Sequence, residues 1–225
     1  MGADPGAYVY CGLKEKITPG DYVRLIAEDR ITEVLAKHEV APGDVFFLPP
    51  GRIHAIGGGC FLAEIQQTSD ITYRIYDYNR PDADGKLRQL HTAEALDAID
   101  FSPTADGRSH YTYQQNSTVQ LAQCPYFTTN LLSIDKPIRK DFSQLDSFVI
   151  YLCTEGLAAV QSQDTICPIH AGECVLVPAT ANHVDLFCQV PTKLLEVYID
   201  PKQWNEEGTD HSHDNDWLAK FVGDN

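Results

Sequence analysis

The sequence of 225 residues lacks long apolar runs and is poor in basic residues, and both shortages exclude classes of protein. No apolar segment approaches the ~20 residues that a helix needs to cross a bilayer. Lys and Arg number 17 against 32 Asp and Glu, so the net charge is −15. Such an acidic chain is unsuited to binding nucleic-acid phosphates or an anionic membrane surface. We therefore expect neither a nucleic acid nor a membrane as partner.

The seven cysteines also lack a pattern, since no two of them have the CxxC spacing of metal or redox sites. Most of them lie within apolar segments, where a free cysteine packs as a small hydrophobic side chain. The first residues show neither the basic segment nor the apolar stretch of a secretory signal. These features predict a cytoplasmic protein with reduced, buried thiols.

The first part of the chain mixes short helices with strands. Thr18 is the predicted cap of a helix that begins at Pro19, and residues 92–99 predict a second short helix. Alternating or apolar segments between turn residues predict five strands. These strands cover residues 8–12, 45–48, a segment starting at His54, 61–67 and 72–78.

The second part is almost entirely strand-like, with turn signals every ~8–12 residues, which is typical of a sandwich or barrel. Residues 102–118 are polar and predict a linker, and residues after 200 form an acidic tail. We therefore expect one domain over 1–101, a second over 119–200, and a tail over 201–225. The predicted strands of the second domain cover residues 119–124, 127–134, 147–154, 158–162, 173–177, 183–187 and 193–199.

An internal repeat connects the two parts. Residues 43–54 align without gaps on residues 172–183, and both copies read Gly, acid, four mainly apolar residues, Pro, four further residues, His. A turn used twice predicts two related β-barrels. The pattern resembles the second signature of the cupin superfamily of jelly-roll barrels, in which this histidine often ligates a metal. His54 and His183 occupy that position.

Polar side chains alternate after His54. Strand periodicity places Glu64 and Gln66 on one face, and Thr72, Arg74 and Tyr76 on one face of the next predicted strand. If these faces line the barrel, a carboxylate and a guanidinium converge near His54. The alternative turns both faces to solvent. His54 itself is either a metal ligand or a hydrogen-bonded core residue, and the weaker flanks of His183 make it a poorer ligand candidate.

Residues 43–100 resemble type I mannose-6-phosphate isomerase, in its short bacterial form. The matching stretches are 43–49, 51–57, 64–70, Thr72-Tyr73-Arg74-Ile75-Tyr76-Asp77-Tyr78, Asp84-Gly85-Lys86 and Leu90-His91. The resemblance implies an all-β double cupin with a small helical insertion. It also implies zinc-dependent aldose–ketose isomerisation of mannose 6-phosphate and fructose 6-phosphate, with a sugar phosphate as partner. By the same resemblance His54 is a zinc ligand, Arg74 the active-site residue and Glu64 a substrate-binding residue.

The sequence also departs from this family. The family's further zinc ligands, a Gln-x-His motif and a Glu, lie upstream of the His54 position and have no counterpart here. We therefore expect a chain without the N-terminal third, an incomplete first barrel, weak or no zinc binding, and weak or no isomerase activity. Open strand edges predict a homodimer through that barrel. The alternative function is a catalytically inactive sugar-phosphate-binding or regulatory protein.

Overall fold

The computed structural model describes residues 1–68, 71–81 and 83–200. The chain divides into two compact units, and the division falls between Ser109 and His110. This point lies inside the predicted linker, 102–118. The predicted tail, 201–225, lies outside the described residues. None of the described helices is long and apolar enough to cross a membrane.

The first unit combines two small sheets with short helices. The three-stranded sheet is antiparallel and has the order β3-β2-β4, while β1 pairs with β5. Its elements are β1 (Gly2–Ala3), β2 (Tyr8–Leu13), α1 (Pro19–Ala27), a 3-10 turn (Ile31–Glu33), β3 (Leu35–Glu39), β4 (His54–Ile56), β5 (Cys60–Phe61) and α2 (Thr92–Ala95).

Helix α1 begins where the sequence predicts, because Thr18 and Asp21 cap it reciprocally. The Asp21 backbone N–H donates to the Thr18 hydroxyl at 3.1 Å, and the Thr18 N–H donates to the Asp21 carboxylate at 3.2 Å. The helix buries Tyr22 and Leu25 in one cluster with Leu13 of β2. This packing holds α1 against one face of the three-stranded sheet.

Three predicted strands of the first unit are wrong. Residues 45–48 form only an isolated bridge from Phe46 to Arg108, residues 61–67 contribute only the end of β5, and residues 72–78 form no strand. Alternation favours a strand only where a neighbouring backbone can pair with it. Among the described residues, no regular strand runs beside these segments beyond the pairing of β1 with Phe61.

The second unit is built from two antiparallel sheets, as the predicted all-β class requires. Their orders are β12-β9-β14-β7-β6 and β11-β10-β13-β8. A shared core includes Leu132, Tyr151, Val184 and Leu194. The strands are β6 (Thr118–Cys124), β7 (Phe127–Ile134), β8 (Ile138–Asp141), β9 (Val149–Glu155), β10 (Leu157–Ser162), β11 (Thr165–His170), β12 (Cys174–Val177), β13 (His183–Cys188) and β14 (Thr192–Tyr198).

The sequence repeat is in part a repeat of backbone geometry. The leading glycines have positive φ, 99° at Gly43 and 92° at Gly172. In each copy the N–H of the third residue after the proline donates to the proline carbonyl, at 3.2 Å in the first copy and 3.0 Å in the second. Strands β4 and β13 then begin at His54 and His183. The two turns therefore share their closing hydrogen bond but differ in backbone conformation, since Gly51 has a φ of 83° and its counterpart Thr180 does not have a positive φ.

Candidate functional site

His54 lies at the start of β4, opposite Cys11 of β2. Its side chain is exposed, so the alternative of a buried core histidine is wrong. The ring Nδ1 lies 3.0 Å from the Arg52 carbonyl oxygen. A carbonyl only accepts, so Nδ1 carries the hydrogen and Nε2 keeps a lone pair. This tautomer leaves Nε2 available to a ligand.

Glu64 and Gln66 face solvent. Both side chains are exposed, while Ala63 and Ile65, the neighbours of Glu64 in sequence, are half-buried. Polar and apolar residues therefore alternate here as the sequence indicates. The polar side chains point to solvent, however, which is the second of the two interpretations given above. Across the described ranges 1–68, 71–81 and 83–200, no hydrogen bond or ion pair joins Glu64 to His54 or Arg74.

Arg74 is half-buried and lies in a segment that folds back on residues 88–91. Its backbone N–H donates to Nδ1 of His91 at 3.0 Å, and the His91 N–H donates to the Arg74 carbonyl at 2.7 Å. Further along, the buried Asp77 accepts hydrogen bonds from both Arg88 and Arg80. Hydrogen bonds from Arg88 first, and Arg80 second, hold the pKa of Asp77 well below its usual range.

Zinc does not fit the residues that the structure describes. Within 1–68, 71–81 and 83–200, no group of three His, Cys, Asp or Glu side chains is placed to hold a metal ion. His54 offers one nitrogen, whereas a catalytic zinc site uses three protein ligands. No step of the chemistry is therefore derived through a metal.

The second histidine of the repeat faces outward. His183 is exposed, and its Nδ1 lies 3.7 Å from an Asp141 carboxylate oxygen. Hydrogen bonds from Ser143 lower the pKa of Asp141, so this carboxylate is charged at neutral pH. The neighbouring Val184 is buried in the core instead. His183 therefore lies at the surface beside a carboxylate, in line with the weaker ligand prediction.

Sequence reasoning missed a buried polar cluster in the second unit. Glu196 of β14 is 1% exposed. Its carboxylate accepts hydrogen bonds from Tyr151 at 2.8 Å, Asn130 at 3.1 Å and Lys140 at 3.1 Å. Lys140 also donates to Thr118 at 2.7 Å. The available signal was Glu196 itself, an acidic residue within an apolar strand.

A cleft of about 620 Å³ opens on the first unit. It is lined in part by Tyr10, Lys14, Lys37 and Thr104. None of the three residues predicted for the site lines it. The cleft is also lined by Glu33, whose carboxylate offsets part of the positive charge of the two lysines.

Comparisons with known proteins agree with both the fold and the sequence resemblance. Residues 117–191 match the family model described as mannose-6-phosphate isomerase, cupin domain. Mannose-6-phosphate isomerase ManA of Bacillus subtilis is 32% identical over 163 residues, which are 72% of this chain and 51% of ManA. The Streptococcus mutans mannose-6-phosphate isomerase is 29% identical over 80% of this chain and 56% of its own length.

The solved structure of the Bacillus subtilis mannose 6-phosphate isomerase has a similar fold. It superimposes with a TM-score of 0.75 at 26% identity, over 87% of this chain and 62% of that structure. The chain spans about half the length of the curated relatives that it matches. The predicted cupin-type, mostly β fold is thereby confirmed. The chain is a relative of the cupin-type mannose-6-phosphate isomerases, matched along about half of their length.

Proposed function

We propose that the chain acts on mannose 6-phosphate and fructose 6-phosphate, with Arg74 and Glu64 as its substrate-facing groups. The proposal is carried by the similarity to ManA, with 32% identity over 163 residues. It is supported by the hydrogen bond that holds the Arg74 backbone N–H to His91. The isomerisation moves a hydrogen between C1 and C2 of the sugar through an enediol-like state. It therefore needs a group that moves a proton and a group that stabilises negative charge.

Arg74 suits the second task. A guanidinium presents a planar fork of donors that matches a phosphate group or an enediolate oxygen. Its half-buried position strengthens that attraction relative to a fully solvated charge. Glu64 is exposed and free to approach a bound sugar, where a carboxylate can accept or return the proton.

For the chain as it stands we propose weak or no zinc binding and weak or no turnover. The support is that, within the described residues, His54 belongs to no group of three side chains that could hold a metal ion. His54 by itself does not supply the three protein ligands that a catalytic zinc ion needs.

The test combines metal analysis of the purified chain with a coupled assay for mannose 6-phosphate isomerisation. Arg74→Ala should lower the rate, or the affinity for fructose 6-phosphate, by about 100-fold. Arg24→Ala removes an exposed arginine of α1 and serves as the matched control. Stoichiometric zinc together with rapid turnover would contradict the proposed weakness. An unchanged Arg74→Ala variant would contradict the role of the guanidinium.

The second candidate function is a sugar-phosphate-binding or regulatory protein without catalysis. It is favoured because no group of three metal-ligating side chains is found within the described residues, and binding needs Arg74 but no metal site. Calorimetric binding of fructose 6-phosphate without turnover would select this candidate. Turnover above the uncatalysed rate would exclude it.

We also propose a cytoplasmic location. All seven cysteines are free. Free thiols in this number suit a reducing compartment. Fractionation of the native host, with the chain found outside the cytoplasm, would contradict this proposal.

A further inference from the structure

The segment that carries Arg74 is held by a second segment running the opposite way. Arg74 contacts His91, and three residues further along, Asp77 contacts Arg88, three residues back. Beyond these, Pro81 and Leu87 form an antiparallel bridge. The first two pairs share one antiparallel register, and the Pro81–Leu87 bridge is offset from it, although residues 72–78 form no regular strand.

His91 holds the Arg74 backbone at both of its polar groups. Its Nδ1 accepts the Arg74 N–H at 3.0 Å, and its own N–H donates to the Arg74 carbonyl at 2.7 Å. The imidazole also packs beside Tyr73, with 6.2 Å between the ring centres. His91 precedes α2 at the capping position but makes no side-chain cap bond there, because Nδ1 is already engaged with Arg74.

We infer that His91 is a positioning residue for Arg74, a role that rests on the proposed function. With N–H and carbonyl both fixed, the φ and ψ freedom of residue 74 is small, and only the side chain moves. Because the backbone of residue 74 is fixed, the Arg74 guanidinium approaches a bound anion from a defined Cα position. Less conformational entropy is then lost when substrate binds, because the charged group is already positioned.

The chemistry explains why the residue is a histidine. Nδ1 must be unprotonated to accept, so the hydrogen of the neutral ring lies on Nε2. An asparagine offers its carbonyl oxygen at a comparable distance from the backbone. A phenylalanine keeps the ring and its contact with Tyr73 but offers no acceptor. These two substitutions therefore separate the hydrogen bond from the packing.

The first measurement is amide hydrogen exchange at residue 74 in the full chain. His91→Phe should raise the exchange rate of the Arg74 amide by about tenfold, whereas His91→Asn should leave it within about twofold of the original. His183→Phe, a change at an exposed histidine of the second unit, is the control and should have no effect at residue 74. Unchanged exchange in His91→Phe would overturn the inference.

The second measurement is a double-mutant cycle with fructose 6-phosphate as the probe. His91→Phe should lower kcat/KM, or the calorimetric affinity where turnover is absent, by about tenfold, and His91→Asn should restore it. In an Arg74→Ala background His91→Phe should have no further effect, because its influence passes through Arg74. An equal loss in both backgrounds would overturn the positioning role.

The two measurements separate this inference from the proposed function. A chain that neither turns over nor binds fructose 6-phosphate refutes the proposed function and, with it, the positioning of Arg74 for substrate. The exchange result then still decides whether His91 holds the backbone of residue 74. A chain that binds fructose 6-phosphate, with His91→Phe uncoupled from Arg74→Ala, refutes the inference alone.

Discussion

Removal of the Lys140 ammonium should strongly destabilise the second unit. Glu196 is 1% exposed, and both of its carboxylate oxygens lie about 3 Å from Lys140 Nζ, at 3.1 and 3.0 Å. In Lys140→Met the carboxylate stays buried but loses its counter-charge. Such a loss lowers the free energy of unfolding by about 3–5 kcal/mol. Tyr151→Phe removes only one donor, at 2.8 Å, and should cost about 1.5–3 kcal/mol.

The assay is urea unfolding followed by circular dichroism, with amide exchange of β7, β9 and β14 reporting on the second unit. Lys193→Met is the matched control, because Lys193 pairs with Glu155 at 2.7 Å but both side chains are largely exposed. A surface pair of this kind is worth about 0–1 kcal/mol. The double variant Lys140→Met with Glu196→Leu should lose less stability than the two single losses combined.

Two results would refute this reasoning. The first is a loss in Lys140→Met no larger than the loss in Lys193→Met. The second is a double variant that loses the full sum of its single changes. Either result would mean that the buried carboxylate does not depend on its ammonium partner.

Three further predictions concern the pH dependence, the thiols and the assembly. The pKa of Asp77 is lowered in the folded chain, so its stabilising contribution is fully present above its unfolded pKa of about 3.9 and is lost only as the pH falls through the lower folded pKa. Asp77→Asn should therefore lower the melting temperature most at pH 7, and the difference from the parent chain should shrink progressively below pH 3.9. A difference that stays constant between pH 7 and pH 2 would contradict it. Exposed Cys174 should react first with a thiol reagent, whereas Cys153, whose thiol pKa is raised by burial, should react only after unfolding. Mass spectrometry of briefly labelled protein checks this order, and equal labelling of the two cysteines would refute it. We also propose a homodimer through the first unit, because the apolar side chains of Phe61 and Ile71 are 63% and 66% exposed. Analytical ultracentrifugation should show a dimer, and the double variant Phe61→Lys/Ile71→Lys should dissociate at a lower dilution. A monomer at all concentrations would exclude the dimer.

The second unit was largely predictable from its sequence, because its strands alternate against one shared core. Strand β9, for example, buries every second residue, and its predicted range of 147–154 overlaps the observed Val149–Glu155. Two strands escaped prediction. Strand β8 contains a single apolar residue, Ile138, and turns Lys140 inward. Strand β11 contains Pro168, which is tolerated because β11 lies at a sheet edge.

The first unit was less predictable because its residues depend on partners that are distant in sequence. The cap at Thr18 is local, and α1 was accordingly placed well. Strand β3 was missed, since its polar Lys37 and Glu39 resemble a surface turn. The site residues were chosen from a family resemblance, and no local pattern could reveal that His91 holds the backbone of Arg74 from 17 positions away. Their functional roles stay predictions.

The duplicated turn before His54 and His183 separates architecture from chemistry. Both turns are closed by the same backbone hydrogen bond, yet one histidine offers a free ring nitrogen and the other lies beside Asp141 at the surface. This hydrogen-bonded bend therefore precedes a strand in both units, although only the second copy has a regular strand, β12, in front of it. A substitution at the histidine that follows this turn can therefore add or remove a functional group without changing the turn itself.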